Sequence, residues 1–347
     1  MIDLFSDSAS QPTSAMRHAM ALAEVGDEQR GTDPTVLHLL EMVCDLLGKE
    51  AALFLPSGTM CNAIAVKVHT QPGDVLLVDQ QSHVLRSEAG GAAMWSGVVI
   101  DQVASASGIF TRADLLERLP ASSVYAPPPR LLSIEQTHNF GGGTVWPLAQ
   151  ITDVCAAAHE HGLFTHLDGA RLLNAVVATG VSAKTWCAHF DSVFIDFSKS
   201  LGAPFGAVLA GNQQFIQKAR RYKQAFGGAM RQAGIMAAAC IYALENNIER
   251  LAQDHENAVS MAAELQKIAG LRVLTPRPDT NMVFFDTSEA GMTAWQFLEE
   301  IKTKGVIMSE IQNHVRLVTH LGISKQDCQT AISVVQQVMA AKAAATA

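Results

Sequence analysis

The sequence predicts an α/β fold: a large unit built on a mostly parallel sheet, followed by a small C-terminal α+β unit. Three observations lead there. From about residue 52 to residue 210, short apolar runs alternate with helix-length amphipathic segments, the pattern of strands joined by helices that cover both faces of a sheet. Near residue 250 the rhythm changes to shorter apolar runs interleaved with two further helical stretches. A chain of 347 residues, 48% hydrophobic and 17% charged, is long enough to bury cores for two units.

In order, strands are expected at 52–55, 75–79, 98–100, 131–135, 163–168, 192–197 and 207–210, with helices at 35–47, 58–68, 148–161 and 213–224. Ligands on such sheets gather at the carboxyl ends of the strands, on loops. Beyond residue 250, a helix at 249–268 leads to strands at 271–274, 281–286, 306–308 and 315–318, with helices at 293–304 and 325–344. No Pro/Gly/Ser-rich linker intervenes. The expected division is therefore 1–250, including an N-terminal arm, and 251–347, the two units sharing a long helix and an interface.

A net charge of -8 without a basic block argues against a nucleic-acid surface, while leaving small anionic ligands open. The six cysteines occur singly, at spacings unlike a zinc site. They read as reduced thiols of a cytoplasmic protein. The first residues lack a basic-then-apolar leader pattern, and no run of 18 apolar residues occurs, so no membrane span is expected.

Four local patterns carry chemistry. In Phe197-Ser198-Lys199-Ser200-Leu201-Gly202 a single lysine follows an apolar strand among small residues. A lysine that forms a Schiff base must be desolvated, so that its pKa falls and its amine becomes nucleophilic. In Thr165-His166-Leu167-Asp168-Gly169-Ala170-Arg171, Asp168 ends the preceding strand. A pyridoxal phosphate (PLP) ring needs a carboxylate at its pyridine nitrogen to act as an electron sink. Alone, the first pattern is satisfied by a loop lysine and the second by a helix cap. Together, at neighbouring strand ends some 30 residues apart, they point to PLP. The turn Ser57-Gly58-Thr59 opens a helix whose N–H groups and dipole suit a phosphate. His83 follows another strand, where an imidazole could stack on the ring or move a proton. Glu135 ends a further strand where polar cofactor contacts fall. Arg171 and Arg316 are candidates to fork onto a substrate carboxylate between the units.

The residues also resemble a known family. Pro56-Ser57-Gly58-Thr59, Glu88-Ala89-Gly90-Gly91-Ala92, Asp168-Gly169-Ala170-Arg171, Ser198-Lys199, Leu201-Gly202-Ala203-Pro204, Met230-Arg231-Gln232-Ala233-Gly234, Thr280-Asn281-Met282 and Arg316-Leu317-Val318-Thr319-His320 are similar to the low-specificity L-threonine aldolases, within the β-eliminating lyase group. The pieces run in order from near residue 6 to near residue 321. The resemblance implies a fold-type I PLP enzyme, assembled as a homotetramer of paired dimers with shared active sites. It implies retro-aldol cleavage of L-threonine or L-allo-threonine to glycine and acetaldehyde. By the same likeness Lys199 is the Schiff-base lysine, Asp168 the pyridinium partner and His83 the stacking ring. Ser57, Gly58 and Thr59 hold the phosphate, and Arg171 with Arg316 binds the α-carboxylate. Ser6 lies in an N-terminal active-site strand, and Arg231 matches a further active-site arginine.

Departures from the family pattern fall around the substrate side chain. Arg30 stands where a tyrosine is usual, Leu85 and Ser87 where aromatics are, Tyr125 where a histidine is, and Gln224 (beside Lys223) where a lysine is. Arg30 then replaces the missing cation, favours an acidic substrate side chain, or is a simple surface arginine. The alternative reaction is a PLP-dependent β-elimination or a racemisation on a different, acidic, β-substituted amino acid. A PLP fold without chemistry is opposed by the joint presence of Lys199, Asp168, Arg171 and Arg316. A nucleotide-binding Rossmann enzyme is opposed by the lack of GxGxxG after the first strand.

Overall fold

The computed structural model describes residues 1–119 and 123–346. In chain order the strands are β1 (Ile2–Asp3), β2 (Ala51–Leu55), β3 (Val75–Asp79), β4 (Val99–Val103), β5 (Pro129–Glu135), β6 (Phe164–Gly169), β7 (Ser192–Asp196), β8 (Ala207–Gly211), β9 (Arg272–Val273), β10 (Met282–Asp286), β11 (Val306–Ile307), β12 (Ser309–Ile311) and β13 (His314–Val318). A seven-stranded sheet runs in the order β2-β8-β7-β6-β5-β3-β4. Its strands are parallel except β8, which is antiparallel to both neighbours. Helices pack on both faces, so β3, β7 and β8 are buried at every residue. A strand covered on both sides reads as a continuous apolar run whichever way it points. The reversal of β8 therefore leaves no mark in the sequence.

Register decides what stands at the working edge. Glu135 pairs with Asp168 across β5 and β6, and Asp168 pairs with Phe194 across β6 and β7. Glu135, Asp168 and Asp196 thus stand at or near the carboxyl ends of three adjacent strands. The helix Gly58–His69 begins at the same edge. Ser57 caps it, accepting from the Met60 N–H at 3.2 Å from an extended backbone. A Cβ on Gly58 would lie 2.8 Å from the Phe194 ring and 3.0 Å from an Asp196 oxygen. Only glycine lets this helix start hard against β7.

The second sheet, β12-β13-β10-β9, is antiparallel and has its own core, including Val283, Phe285, Phe297, Val315 and Leu317. The N-terminal arm, expected with the large unit, is stitched into this smaller one. β1 pairs with β11, Leu4 joins the small core, and the Val318 N–H donates to the Leu4 carbonyl at 2.9 Å. At the junction between units the helix expected at 249–268 is present as Leu251–Leu265, and a separate helix, Gly234–Asn246, precedes it. At the break, the Asn247 side chain donates to the Leu201 carbonyl at 2.7 Å, just past Lys199. A side-chain bond to another segment there competes with continued helix.

Candidate active site

A cavity of about 460 Å³ opens where the carboxyl edge of the large sheet meets the small unit. That volume suits a small ligand. It is lined by Ser6, Ser57, Gly58, Thr59, His83, Glu135, Asp168, Arg171, Lys199 and Arg316. The fold thus gathers every site residue expected from the sequence except Arg30 and Arg231.

Lys199 sits on the loop after β7, with its amine 2.8 Å from Asp196 Oδ2. The other Asp196 oxygen accepts from the Ser198 N–H and hydroxyl, at 2.8 and 2.7 Å. This corrects the expectation that desolvation lowers the lysine. Burial does pull it down, but the Asp196 carboxylate more than offsets that, and the net shift is upward.

On the cavity floor, Asp168 Oδ1 accepts from the Ala170 N–H at 3.1 Å. Its Oδ2 accepts from Asn62 Nδ2 at 2.8 Å, and that same amide nitrogen donates to Glu88 Oε1 at 2.7 Å. Glu88 in turn takes His83 Nδ1 at 2.8 Å. Because a carboxylate only accepts, His83 carries a proton on Nδ1, leaving Nε2 bare when the ring is neutral. Burial lowers the His83 pKa, but hydrogen bonding to Glu88 and the charges of Asp168 and Glu135 leave it raised. Burial, and next the charge of Asp168, leaves the Glu88 carboxyl raised despite its bonds to His83 and Asn62.

Glu135 lines the cavity as a clamp between loops. Its Oε2 accepts from the His83 N–H at 2.9 Å and its Oε1 from the Asn139 N–H at 2.8 Å. Both oxygens are therefore engaged with backbone, and its part in the site is to fix two loops.

The wall joins Arg171 of the large unit to the N-terminal arm and to Arg316 of the small unit. Arg171 forms a two-point fork with Asp7, Nε to Oδ2 and Nη2 to Oδ1, each at 2.7 Å. Burial raises the Asp7 carboxyl, but Arg171 dominates and holds it far below the usual carboxylate range. The fork uses two of the five guanidinium N–H groups and leaves both on Nη1 and one on Nη2. Arg316, on β13, is 6% exposed. Its donors reach Asn139 Oδ1 at 2.9 Å, the Phe5 carbonyl at 3.0 Å and Ser309 Oγ at 3.1 Å, all neutral acceptors. No carboxylate among the described residues forms an ion pair with it. Burial, and then repulsion from Arg171, pulls its pKa down to about 10. Ser6 caps the short turn Asp7–Ala9 and accepts from the Ser8 N–H at 3.2 Å.

Arg30 and Arg231 lie elsewhere, exposed and close together. Arg231 pairs with Asp27 at 2.9 Å, and its carbonyl accepts from the Glu28 N–H at 2.9 Å. Beside them Lys223, next to Gln224, is buried against Glu28 at 2.6 Å. Tyr125 is 94% exposed.

Sequence reasoning did not single out Asn62, Asp196, Asp7 or Ser309. Two had a usable signal. Asn62 stands one helical turn after Gly58, on the face that meets the cavity, in an otherwise apolar helix. Asp196 ends a strand three residues before the lysine. Asp7 is 164 residues from the arginine it holds, and Ser309 meets the Phe5 carbonyl 304 residues away.

With this geometry established, comparison with known proteins defines the class. The β-eliminating lyase family model matches residues 3–290, and the chain belongs to that family. Its relatives include the low-specificity L-threonine aldolase of Escherichia coli K12, 41% identical over 327 residues, covering 94% of this chain and 96% of that one. Another is low-specificity L-threonine aldolase 1 of Arabidopsis thaliana, 37% identical over 344 residues, covering 97% and 96%. Among solved structures, a Leishmania major threonine aldolase superposes with a TM-score of 0.84 over 98% of this chain and all of that one, at 21% identity. That likeness concerns the fold.

Proposed function

We propose that this chain is a PLP-dependent aldehyde-lyase that cleaves β-hydroxy-α-amino acids of the L-threonine and L-allo-threonine type to glycine and an aldehyde. The observation that supports it most directly is a single cavity. It holds a lysine, a carboxylate at a neighbouring strand end, an open helix N-terminus and a buried arginine without an anion. The family membership agrees with this reading.

The residues present fit the cofactor. The Gly58 and Thr59 N–H groups, first in their helix, have no intrahelical acceptor and suit a phosphate, with Ser57 capping behind them. Lys199 is the covalent anchor, and Asp168 receives the ring nitrogen. When bound, PLP supplies an aldehyde carbon for the substrate amine and a protonated ring that takes up the electron pair released at Cα. The chain's own residues do the rest. Asp196 accepts the ammonium of Lys199 whenever that amine is free. His83 lies over the site with Nδ1 fixed by Glu88. Arg316, helped by Nη1 of Arg171, grips the α-carboxylate and fixes which Cα bond stands ready to break. His83 Nε2, or a water beside it, removes the β-hydroxyl proton. The C–O bond becomes a carbonyl, the Cα–Cβ bond breaks, and a proton returned to Cα gives glycine.

The test is kinetics with L-threonine, L-allo-threonine, phenylserine and 3-hydroxyaspartate, quantifying glycine and aldehyde separately. Equal amounts of both products are expected. Keto acid and ammonia, or simple inversion, would refute cleavage.

The assembly belongs to the same proposal. We infer a homotetramer of paired dimers in which Arg30 and Arg231 of one copy serve the cavity of another. Their exposure together, outside the cavity of their own chain, supports it. Sedimentation should give four copies, and Arg30→Tyr should shift the preference between L-threonine and 3-hydroxyaspartate. Among the described residues no helix is long and apolar enough to cross a membrane. The six cysteines are all free thiols, which supports a reducing compartment and hence the cytoplasm. Fluorescent-fusion microscopy checks that placement.

A further inference from the structure

Behind the cavity floor, a line of hydrogen bonds runs from Asp168 back through the large sheet. Asn62 Nδ2 bridges Glu88 and Asp168. Asn62 Oδ1 lies 3.1 Å from His166 Nε2, His166 Nδ1 lies 2.8 Å from Ser192 Oγ, and Ser192 Oγ lies 2.8 Å from His69 Nε2. Asn62, His166, Ser192 and His69 are all buried. A buried polar line of this length is costly unless every member is satisfied.

The direction of each bond follows by elimination. Carboxylates only accept, so the amide nitrogen must face Glu88 and Asp168. The amide oxygen then needs a donor, which puts a proton on His166 Nε2. Burial holds the His166 pKa down at about 4, so the ring is neutral and its Nδ1 is bare. The Ser192 hydroxyl must donate to that nitrogen. Ser192 Oγ in turn accepts from His69 Nε2, on a ring that burial also keeps neutral. Every donor in the line points toward the two carboxylates.

The carboxylates need this. The facing atoms of Glu88, Asp168 and His83 all lie within 4.8 Å of one another. Two buried carboxylates so placed, with no donor between them, cannot both stay ionised, and one would capture a proton. We propose that Asn62 is a positioning residue for the cofactor ring. It holds the Asp168 carboxylate in place and aimed into the cavity, while the His166–Ser192–His69 relay fixes which way its amide points. The role is exerted through Asp168 and rests on the PLP reading above.

The test uses cofactor binding and proton position. Cofactor-free protein is titrated with PLP, following the visible absorbance, for the parent and for Lys199→Ala, Asn62→Ala, Ser192→Ala and Ser192→Thr. Asn62→Ala should weaken PLP at least tenfold. Ser192→Ala should weaken it at least threefold and move the visible band, while Ser192→Thr, which keeps the hydroxyl, should restore both. ¹⁵N spectra of histidine-labelled, cofactor-free protein should show His166 neutral with its proton on Nε2, a preference lost in Ser192→Ala. If Asn62→Ala does not fold, the serine pair and the ¹⁵N spectra decide. Parent-like PLP affinity in folded Asn62→Ala or Ser192→Ala, or a His166 proton on Nδ1, overturns the proposal. A parent without a Lys199-dependent visible band would instead overturn the cofactor reading itself, and the ¹⁵N result would still judge the relay.

Discussion

The floor and the wall of the cavity treat buried charge in opposite ways. On the floor, Lys199 and His83 have ionisable partners inside the chain, Asp196 and Glu88, each at 2.8 Å, while Asp168 has the neutral Asn62 amide. On the wall, Arg171 is matched by Asp7, but Arg316, just as buried, has only neutral acceptors. An uncompensated buried cation is costly. A protein keeps one where a visiting ligand supplies the missing anion. On the proposed function, the cofactor ring would complete the floor at Asp168 and a substrate carboxylate would complete the wall at Arg316.

Four experiments break or sharpen that contrast. The largest effect belongs to the floor. Lys199→Ala should abolish the visible band and lower product formation by at least about 10³-fold, since the covalent anchor is lost. Next comes the wall's unmatched cation. Arg316→Leu should cut kcat/KM by about 10²-fold, the worth of ~3 kcal/mol of charged hydrogen bonds. Its melting temperature should hold or rise, because an unpaired buried charge is removed. A lower melting temperature with parental kcat/KM would sink the distinction drawn here.

Asp7→Asn is the mirror image. It strands Arg171 without its counter-ion and should cost about 3 kcal/mol of stability, read as an earlier urea midpoint. A parental midpoint would mean that Arg171 does not depend on Asp7.

The last experiment reads a pH dependence from behind the floor. Burial depresses His166 to about 4 and His69 to about 3. An unfolded histidine titrates near 6.5, so below that pH the unfolded chain binds protons that the folded rings refuse. The stability is therefore fully present above pH 6.5 and lost as pH falls toward 4 and 3. The loss is about 1.4 kcal/mol per pH unit for each ring. Urea titrations from pH 7.5 to 5 check this, and His166→Gln should make the slope shallower.

The alternation of apolar runs and amphipathic stretches determined the α/β class, the smaller C-terminal unit and most strands, because strand and helix periods are local properties of the chain. The same locality made Lys199, Asp168 and the Ser57-Gly58-Thr59 turn legible: each follows a readable strand, and ligands collect at such ends. Four features were decided only by three-dimensional packing. They are the reversal of β8, the stitching of β1 into the small unit, the Asp7 fork on Arg171 and the net rise of the Lys199 pKa. The physical reason is common to all four. Strand direction, the partner across 164 residues between Asp7 and Arg171, and the balance of burial against a neighbouring charge depend on what lies nearby in space, and side-chain periodicity carries no record of it.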